Sequence, residues 1–468
     1  MSDFKNNILK KASIVTISQI LSLLVSALLI LILPKFISVE EYGYWQLFIL
    51  YSGYVGLFHL GYSDGLYIKH GGKDIARLNH KSLSDQFNIF VFTQLIFSLI
   101  ILIFAINYNV NITKKYVLIA ISVYLVIENT YKLFSFLLLS TDNSILYSKS
   151  VFIDKLLICF YLFTFLFITE RVLATVIIVF TTTRFIALLY IIWKLRIYFS
   201  FGIRSFRSSI FEIIDNCKLG IILTISNIIS TLILAIGRLF VEHYWSIGHF
   251  ARISLAVSLA FFLLAFISQI SLVLFPLLCR VNDDIRKIVL RNGSLALGFI
   301  TMISFGIYFV ILILIKYWLS DYIESSFYLI FLFPIVLFEV KVQVIYSTFC
   351  KSLNKLKVLL FTNLLIILLS VLLYIISVRF HSIELILTTM FCVLASRSIF
   401  LHIYLFHYFK LKIDKYFYIE ILFSILFIAV NYLFNSKILF LFYISSVVVL
   451  YNIYKNELKR IHNLYQSL

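Results

Sequence analysis

Apolar residues that come in runs of about 20, separated by short polar links, leave a chain few ways to fold. The first run here is Ala12 to Leu33, and comparable runs recur to the C-terminus. In lipid every backbone polar group must be bonded within the chain, so such runs form helices or a closed barrel. A barrel would show shorter segments of alternating polarity. Here 62% of 468 residues are hydrophobic, 13% are charged and only three are proline. With a mean hydropathy of +1.03, the sequence predicts an all-α polytopic membrane protein. The spans are placed at 12–34, 44–68, 87–107, 115–140, 149–169, 173–194, 218–241, 252–278, 293–318, 325–349, 356–379, 382–409, 416–434 and 437–455, about fourteen transmembrane helices. The links at Glu170, His381 and Ser436 are short, so a fused pair would lower the count to about twelve or thirteen. Lys5, Lys10 and Lys11 precede the first run, which is too long for a signal segment and lacks a small-residue cleavage site, so no cleaved leader is expected.

Charge orients this layout. With the N-terminus inside, the links on the cytoplasmic side hold about 26 Lys and Arg against about 8 on the other side. Lys69, Lys73, Arg77 and Lys81 form one inner cluster, and Arg280, Arg286, Lys287 and Arg291 another. Both termini are expected in the cytoplasm. The net charge of +18 is then a topology signal that also attracts anionic lipid headgroups, and no nucleic-acid partner is expected.

Several function classes drop out. The five cysteines fall within spans or at inner helix ends, so no disulfide is expected. No Cys or His spacing fits a metal site, and no phosphate loop or nucleophile elbow occurs, so neither metal nor cofactor is expected. The longest link, 195–217, reads as an amphipathic surface helix with Phe199, Phe206 and Phe211 among Arg204 and Arg207. No link can house a catalytic domain, which argues against an enzyme.

The two halves resemble each other. TISQI at 16–20 matches TISNI at 224–228, Glu128 and Asn143 match Glu339 and Asn354, and TRFI from Thr183 matches SRSIF from Ser396. The offsets stay near roughly 210 residues, which suggests a six-helix unit duplicated in parallel. Chance matches in an Ile/Leu/Phe-rich chain are the rival explanation.

Six basic residues lie inside spans: Lys132, Lys155, Arg184, Arg238, Lys341 and Arg397. Each costs roughly 2.5–3.5 kcal/mol at mid-helix, so each should face a cavity or a partner. Lys132 has Glu128 four residues before it, Arg238 has Glu242 four residues after it, and Lys155 near an inner end suits snorkelling. Lys341 and Glu339 point to different faces, so pairing across helices competes with a cavity role. Arg184 and Arg397 lack a local acid and occupy matched positions. They are the first candidates for cavity cations, and a carboxylate on another helix, Glu128 or Glu339, is the alternative. Glu128, Glu339, Asp64 and Glu420 are candidate coupling or pairing carboxylates.

The stretch GYSDGLYIKHGG, Gly61 to Gly72, ends the second span. Two explanations fit it. Glycines there permit a chain turn and close helix contact, or Gly61, Gly65, Gly71 and Gly72 with Asp64 form a hinge at a cytoplasmic gate.

KKASIVTISQI, FISVEEYGYWQLF and GYSDGLYIKHGGK resemble the polysaccharide-specific transport family, the O-antigen and capsule flippases (Wzx type) of the superfamily that includes the MATE exporters and the lipid II flippase. The resemblance is specific over about the first 75 residues and spans the chain in topology. It implies two six-helix lobes, 1–200 and 201–410, around a V-shaped central cavity, followed by two further helices and a cytoplasmic tail at 411–468. It also implies transport of undecaprenyl-diphosphate-linked oligosaccharide repeat units across the bacterial inner membrane, with polysaccharide polymerase and chain-length proteins as partners. In that setting Arg184, Arg397, Lys341, Lys132 and Arg238 would bind the diphosphate. Two other classes stand beside it. A MATE-like exporter of small cations would prefer carboxylates in its cavity, and a membrane glycosyltransferase or polymerase would need a large outer domain.

Overall fold

The computed structural model describes residues 2–141, 143–165, 173–199, 202, 204–268, 270–433, 443–455 and 457, and these contain helices and no strand. The chain runs α1 (Ser2–Phe36), α2 (Val39–Tyr54), α3 (Tyr62–His70), α4 (His80–Asn107), α5 (Ile112–Ser140), α6 (Ser144–Phe165), α7 (Leu173–Leu195) and α8 (Phe206–Tyr244). It continues through α9 (Ile247–Ile267), α10 (Ile270–Arg280), α11 (Asp283–Ser304), α12 (Gly306–Tyr317), α13 (Ser325–Leu332), α14 (Ile335–Lys341), α15 (Ser347–Ser352), α16 (Leu356–Arg379), α17 (Ile383–Tyr408) and α18 (Lys415–Leu433). Among the described residues nine helices are long and apolar enough to cross a membrane, or ten if α13 and 335–352, bent by 44°, form one span. The short links expected at Glu170 and Ser436 lie outside the described residues.

Polar side chains start the helices. Ser38 and Glu41 form a reciprocal capping box at α2, and Asn79, Asn111, Asn282 and Ser382 each accept a bond from the first turn of α4, α5, α11 and α17. These caps satisfy donors that have no partner within the helix.

Several spans expected to be continuous are divided between elements, 44–68, 252–278, 293–318 and 325–349, and two of these breaks have a clear local cause. The run 44–68 divides at a 3-10 turn, Val55–His59, after which Leu60 and Gly61 take φ of 50° and 83°. Buried amides satisfy the backbone freed there. Asn129 donates to the Val55 carbonyl (2.9 Å) and to Gln94 (2.7 Å), and Gln94 donates to the Phe58 carbonyl (3.1 Å). Irregular backbone at membrane depth survives where protein supplies such bonds. The second break, at Pro334, follows from the missing proline N–H, and a π-helical turn, Val342–Tyr346, leads into α15.

The 195–217 link is not a separate surface helix. From Phe206 onward it belongs to α8, a single helix of 39 residues. The stretch from Phe206 to Lys218 has no glycine or proline to stop it.

The chain divides into two compact units, Met1–Ile228 and Ile229–Leu468, with the division inside α8. In unit 1, α5 is the central helix, packed by α2, α3, α4 and α7. In unit 2, α13, α14 and the π turn are almost wholly buried against α9, α11 and α17. Within unit 2, α18 packs on α11 and α13, burying Phe417, Glu420, Ser424, Phe427 and Asn431 on one face.

Candidate functional site

Each unit carries a buried ionic cluster where long apolar helices meet. In unit 1, Arg184 on α7 lies 2.9 Å from Glu128 on α5 and 3.3 Å from Asp154 on α6. Lys132 lies 3.6 Å from Glu128, and Lys155 lies 3.2 Å from Asp154. Tyr124 donates to Glu128 at 3.0 Å, and the Tyr131 ring lies 4.3 Å under the Arg184 guanidinium. A planar cation suits both a forked contact with carboxylates and stacking on a ring. Among the described residues, three cations of this cluster thus share the two carboxylates Glu128 and Asp154. Lys132 has the most exposed side chain of the five, at 31%.

The unit 2 cluster is balanced. Arg397 on α17 is fully buried, lies 3.0 Å from Glu339 on α14, and donates to Ser230 at 2.6 Å. Gln343 donates to the other Glu339 oxygen at 3.4 Å. Lys341 on α14 pairs with Glu420 on α18, both nearly inaccessible. Gly298 on α11 makes room, because a Cβ there would overlap the Glu420 carboxylate. Beside this pair His402 lies flat between the rings of Phe406 (4.0 Å) and Phe417 (4.1 Å), with Nδ1 2.8 Å from the Tyr346 hydroxyl.

Thus both matched arginines take the carboxylate of another helix, and the matched pairs Glu128–Arg184 and Glu339–Arg397 form in both units. Glu339 and Lys341 point apart and each finds a partner on a different helix. Lys155 does not snorkel. Its side chain is 12% exposed and held by Asp154, because two adjacent charges at this depth lose less free energy paired than separated. Arg238 sits half-buried on the second half of α8.

The glycine patch separates into two structural roles. Gly61 and Gly65 meet α8 at Gly220, where a Cβ on Gly65 would overlap the Asn216 carbonyl and one on Gly220 would overlap the Gly61 carbonyl. Gly71 and Gly72 end α3, and Gly72, at φ 79°, donates to the Ser140 carbonyl at 2.9 Å. Asp64 is buried and accepts from Thr224 of α8 at 2.5 Å, with His59 3.9 Å away. One face of α8 carries Glu212, Asn216, Gly220 and Thr224, four residues apart. Glu212 accepts from Ser82 and Gln86 of α4, and Gln86 also accepts from Tyr62 and Asn216.

Asp154, His402 and Tyr346 were not singled out from the sequence. Asp154 was hidden by its neighbour Lys155, and a lone histidine on an apolar helix carries no spacing signal.

One consequence can be measured directly. Lys341→Met and Glu420→Leu made together should stay within about 1–2 kcal/mol of the parent, while either alone should cost about 3–5 kcal/mol, because a single change leaves a buried charge without its partner. Thermal melting of the four proteins in detergent checks this, and a double variant as weak as the singles would contradict it.

The chain matches no family model and no curated protein. Its fold occurs among solved structures. It is similar to the lipid II flippase MurJ in an inward closed conformation, with a TM-score of 0.64 and 17% identity over 97% of this chain and 99% of that one. It is also similar to a MATE protein solved with MaD5 (TM-score 0.52) and to an inward-facing multidrug resistance MATE transporter of the MOP superfamily (TM-score 0.51). Each of these is 11% identical and covers 86% of this chain, with 96% and 97% of their own. At such identities the likeness is one of fold, the all-α fold of multi-pass membrane proteins.

Proposed function

We propose that the chain is a flippase that carries undecaprenyl-diphosphate-linked oligosaccharide repeat units, the precursors of O-antigen or capsule, across the bacterial inner membrane by alternating access. The observation that carries this reading is the fold likeness to MurJ, which extends over nearly the whole of both chains. The unit 1 cluster adds chemical support. A lipid-linked sugar can keep its tail in lipid, while its diphosphate needs cations along a polar path. The three cations gathered around two carboxylates, with Lys132 the most exposed of them, suit an anion better than the small cations of the runner-up, a MATE-like exporter. Arg397 and Lys341 are bound by Glu339 and Glu420, so the diphosphate is assigned to the unit 1 cations.

The test is complementation of a strain lacking its own repeat-unit flippase. The wild-type chain should restore surface polysaccharide. Lys132→Ala should reduce export about tenfold at unchanged membrane levels, as expected for losing one charged hydrogen bond of about 1.5–3 kcal/mol. If the wild-type chain restores none in strains that make different repeat units, the flippase reading falls. If Lys132→Ala exports normally, the assignment of the diphosphate to unit 1 falls.

A further inference from the structure

Three loops of unit 2 converge at one end. They are the α8–α9 turn at Trp245, the segment entering α13 at Glu324, and the α16–α17 turn at His381. Together they enclose an open cavity of about 660 Å³ whose walls include Trp245, His249, Glu324, Tyr328, His381 and Glu384. Its lining gathers imidazoles, carboxylates and aromatic rings, whereas the cavities against α1, α4 and α18 expose mostly apolar surface, although the one at α18 shares Ser382 and Glu384 with it. All three loops belong to links that the charge pattern puts on the side away from the cytoplasm.

The polar groups here are held in place. Trp245 and His381 meet edge to face, with centroids 6.1 Å apart. His249 Nδ1 lies 2.9 Å from the Ser246 hydroxyl. Glu324 pairs with Arg252 at 3.5 Å, and Glu384 accepts from Tyr432 at 3.2 Å. Each contact orients a carboxylate whose roughly four acceptor sites are not exhausted by one partner. A metal does not fit the set, since among the described residues no three His, Cys, Asp or Glu side chains are placed to hold one.

Flat rings beside oriented hydrogen-bond acceptors match one ligand chemistry well. A sugar ring has an apolar C–H face that lies on an aromatic ring and a rim of hydroxyls that donate to carboxylates and imidazoles. Pockets of this kind take orientation from a few placed polar groups. Among the described lining residues Glu324 is paired with Arg252, whereas Glu384 is bonded by the neutral Tyr432, so the lining carries excess negative charge. Acidic sugars would be repelled, and amino groups attracted.

We infer that this cavity is a saccharide site for neutral or amino-bearing sugars, and that it receives the glycan of the transported lipid. The second clause rests on the proposed flippase function, whereas the site itself rests on the cavity's geometry.

The experiment uses the purified full chain in nanodiscs of phosphatidylethanolamine and phosphatidylglycerol. Saturation-transfer NMR is recorded with the trimers of N-acetylglucosamine, glucosamine and galacturonic acid. The first two should bind with Kd near about 1 mM, and the acidic trimer should bind at least tenfold more weakly. Trp245→Ala should cut the neutral-trimer signal at least fivefold, whereas Trp318→Ala, a tryptophan outside the cavity lining, should leave it unchanged. Glu384→Gln should narrow the discrimination against the acidic trimer, and gel filtration confirms that each variant is folded. Absence of binding to the wild-type chain, wild-type binding by a folded Trp245→Ala, or equal binding of the acidic trimer would each overturn the site. A chain that binds trimers but fails to restore polysaccharide removes the flippase reading and the glycan of the transported lipid as occupant but leaves the saccharide site, and a chain that restores polysaccharide but binds no trimer removes the site alone.

Discussion

Arg397→Ala is expected to destabilise the protein by about 3–5 kcal/mol, the cost of leaving a buried carboxylate without its cation. Arg397 has no exposed surface, and its guanidinium joins Glu339 on α14 to Ser230 on α8. Removing it leaves Glu339, itself 4% exposed, with the long contact from Gln343 as its remaining side-chain partner among the described residues. Arg397→Lys should recover part of the loss, since it keeps the charge but not the fork that reaches two partners at once. The matched change in unit 1 should be milder. After Arg184→Ala, Lys132 and Lys155 still stand beside Glu128 and Asp154, so about 1–2 kcal/mol is expected for the lost charged contacts. Melting of the purified proteins, followed by gel filtration after heating, orders the four chains. If Arg397→Ala melts with the parent, or if Arg184→Ala is the weaker of the two alanine variants, the difference between the clusters is not as described.

Gly65→Ala and Gly220→Ala should be nearly as damaging, about 3 kcal/mol or more, at the upper end of what overpacking costs. Each new methyl would collide with backbone, the Asn216 carbonyl for Gly65 and the Gly61 carbonyl for Gly220. Backbone cannot move aside as a side-chain tip can. Separating α3 from α8 would also strain the bond from Thr224 to Asp64 and the polar contacts of Gln86. Gly72→Ala is the comparison. No atom lies within 4 Å of its Cβ position, so the cost is only that of a left-handed backbone, about 1–2 kcal/mol. Equal stability of the three variants would show that the helices have room to separate.

Much of the architecture is legible along the chain. Runs of about 20 apolar residues require helices, because lipid offers the backbone no partner. The rarity of charge inside them makes each buried cation a residue that needs an explanation. Charge at such depth marks Glu128, Arg184, Glu339, Lys341 and Arg397 in the sequence and limits the arginines to a cavity or a carboxylate on another helix. Glycines at 61–72 signalled both a turn and a close approach, and both are present.

Partner choice was decided in three dimensions. Glu128 and Arg184 lie on helices separated by a third, and no periodicity states which faces of α5, α6 and α7 meet. Lys155 looked able to reach the interface, but folding brings Arg184 to the neighbouring Asp154 and holds Lys155 in the same cluster. Glu420 is far in sequence from Lys341, and only the docking of α18 within unit 2 joins them. The break at 55–61 was invisible because hydropathy registers burial from water and not backbone bonding. It persists because Asn129 and Gln94 arrive from α5 and α4 to bond the freed carbonyls. Composition and spacing settle which groups cannot remain alone in lipid, whereas packing settles which group each one meets, since that depends on contacts between segments distant in the chain.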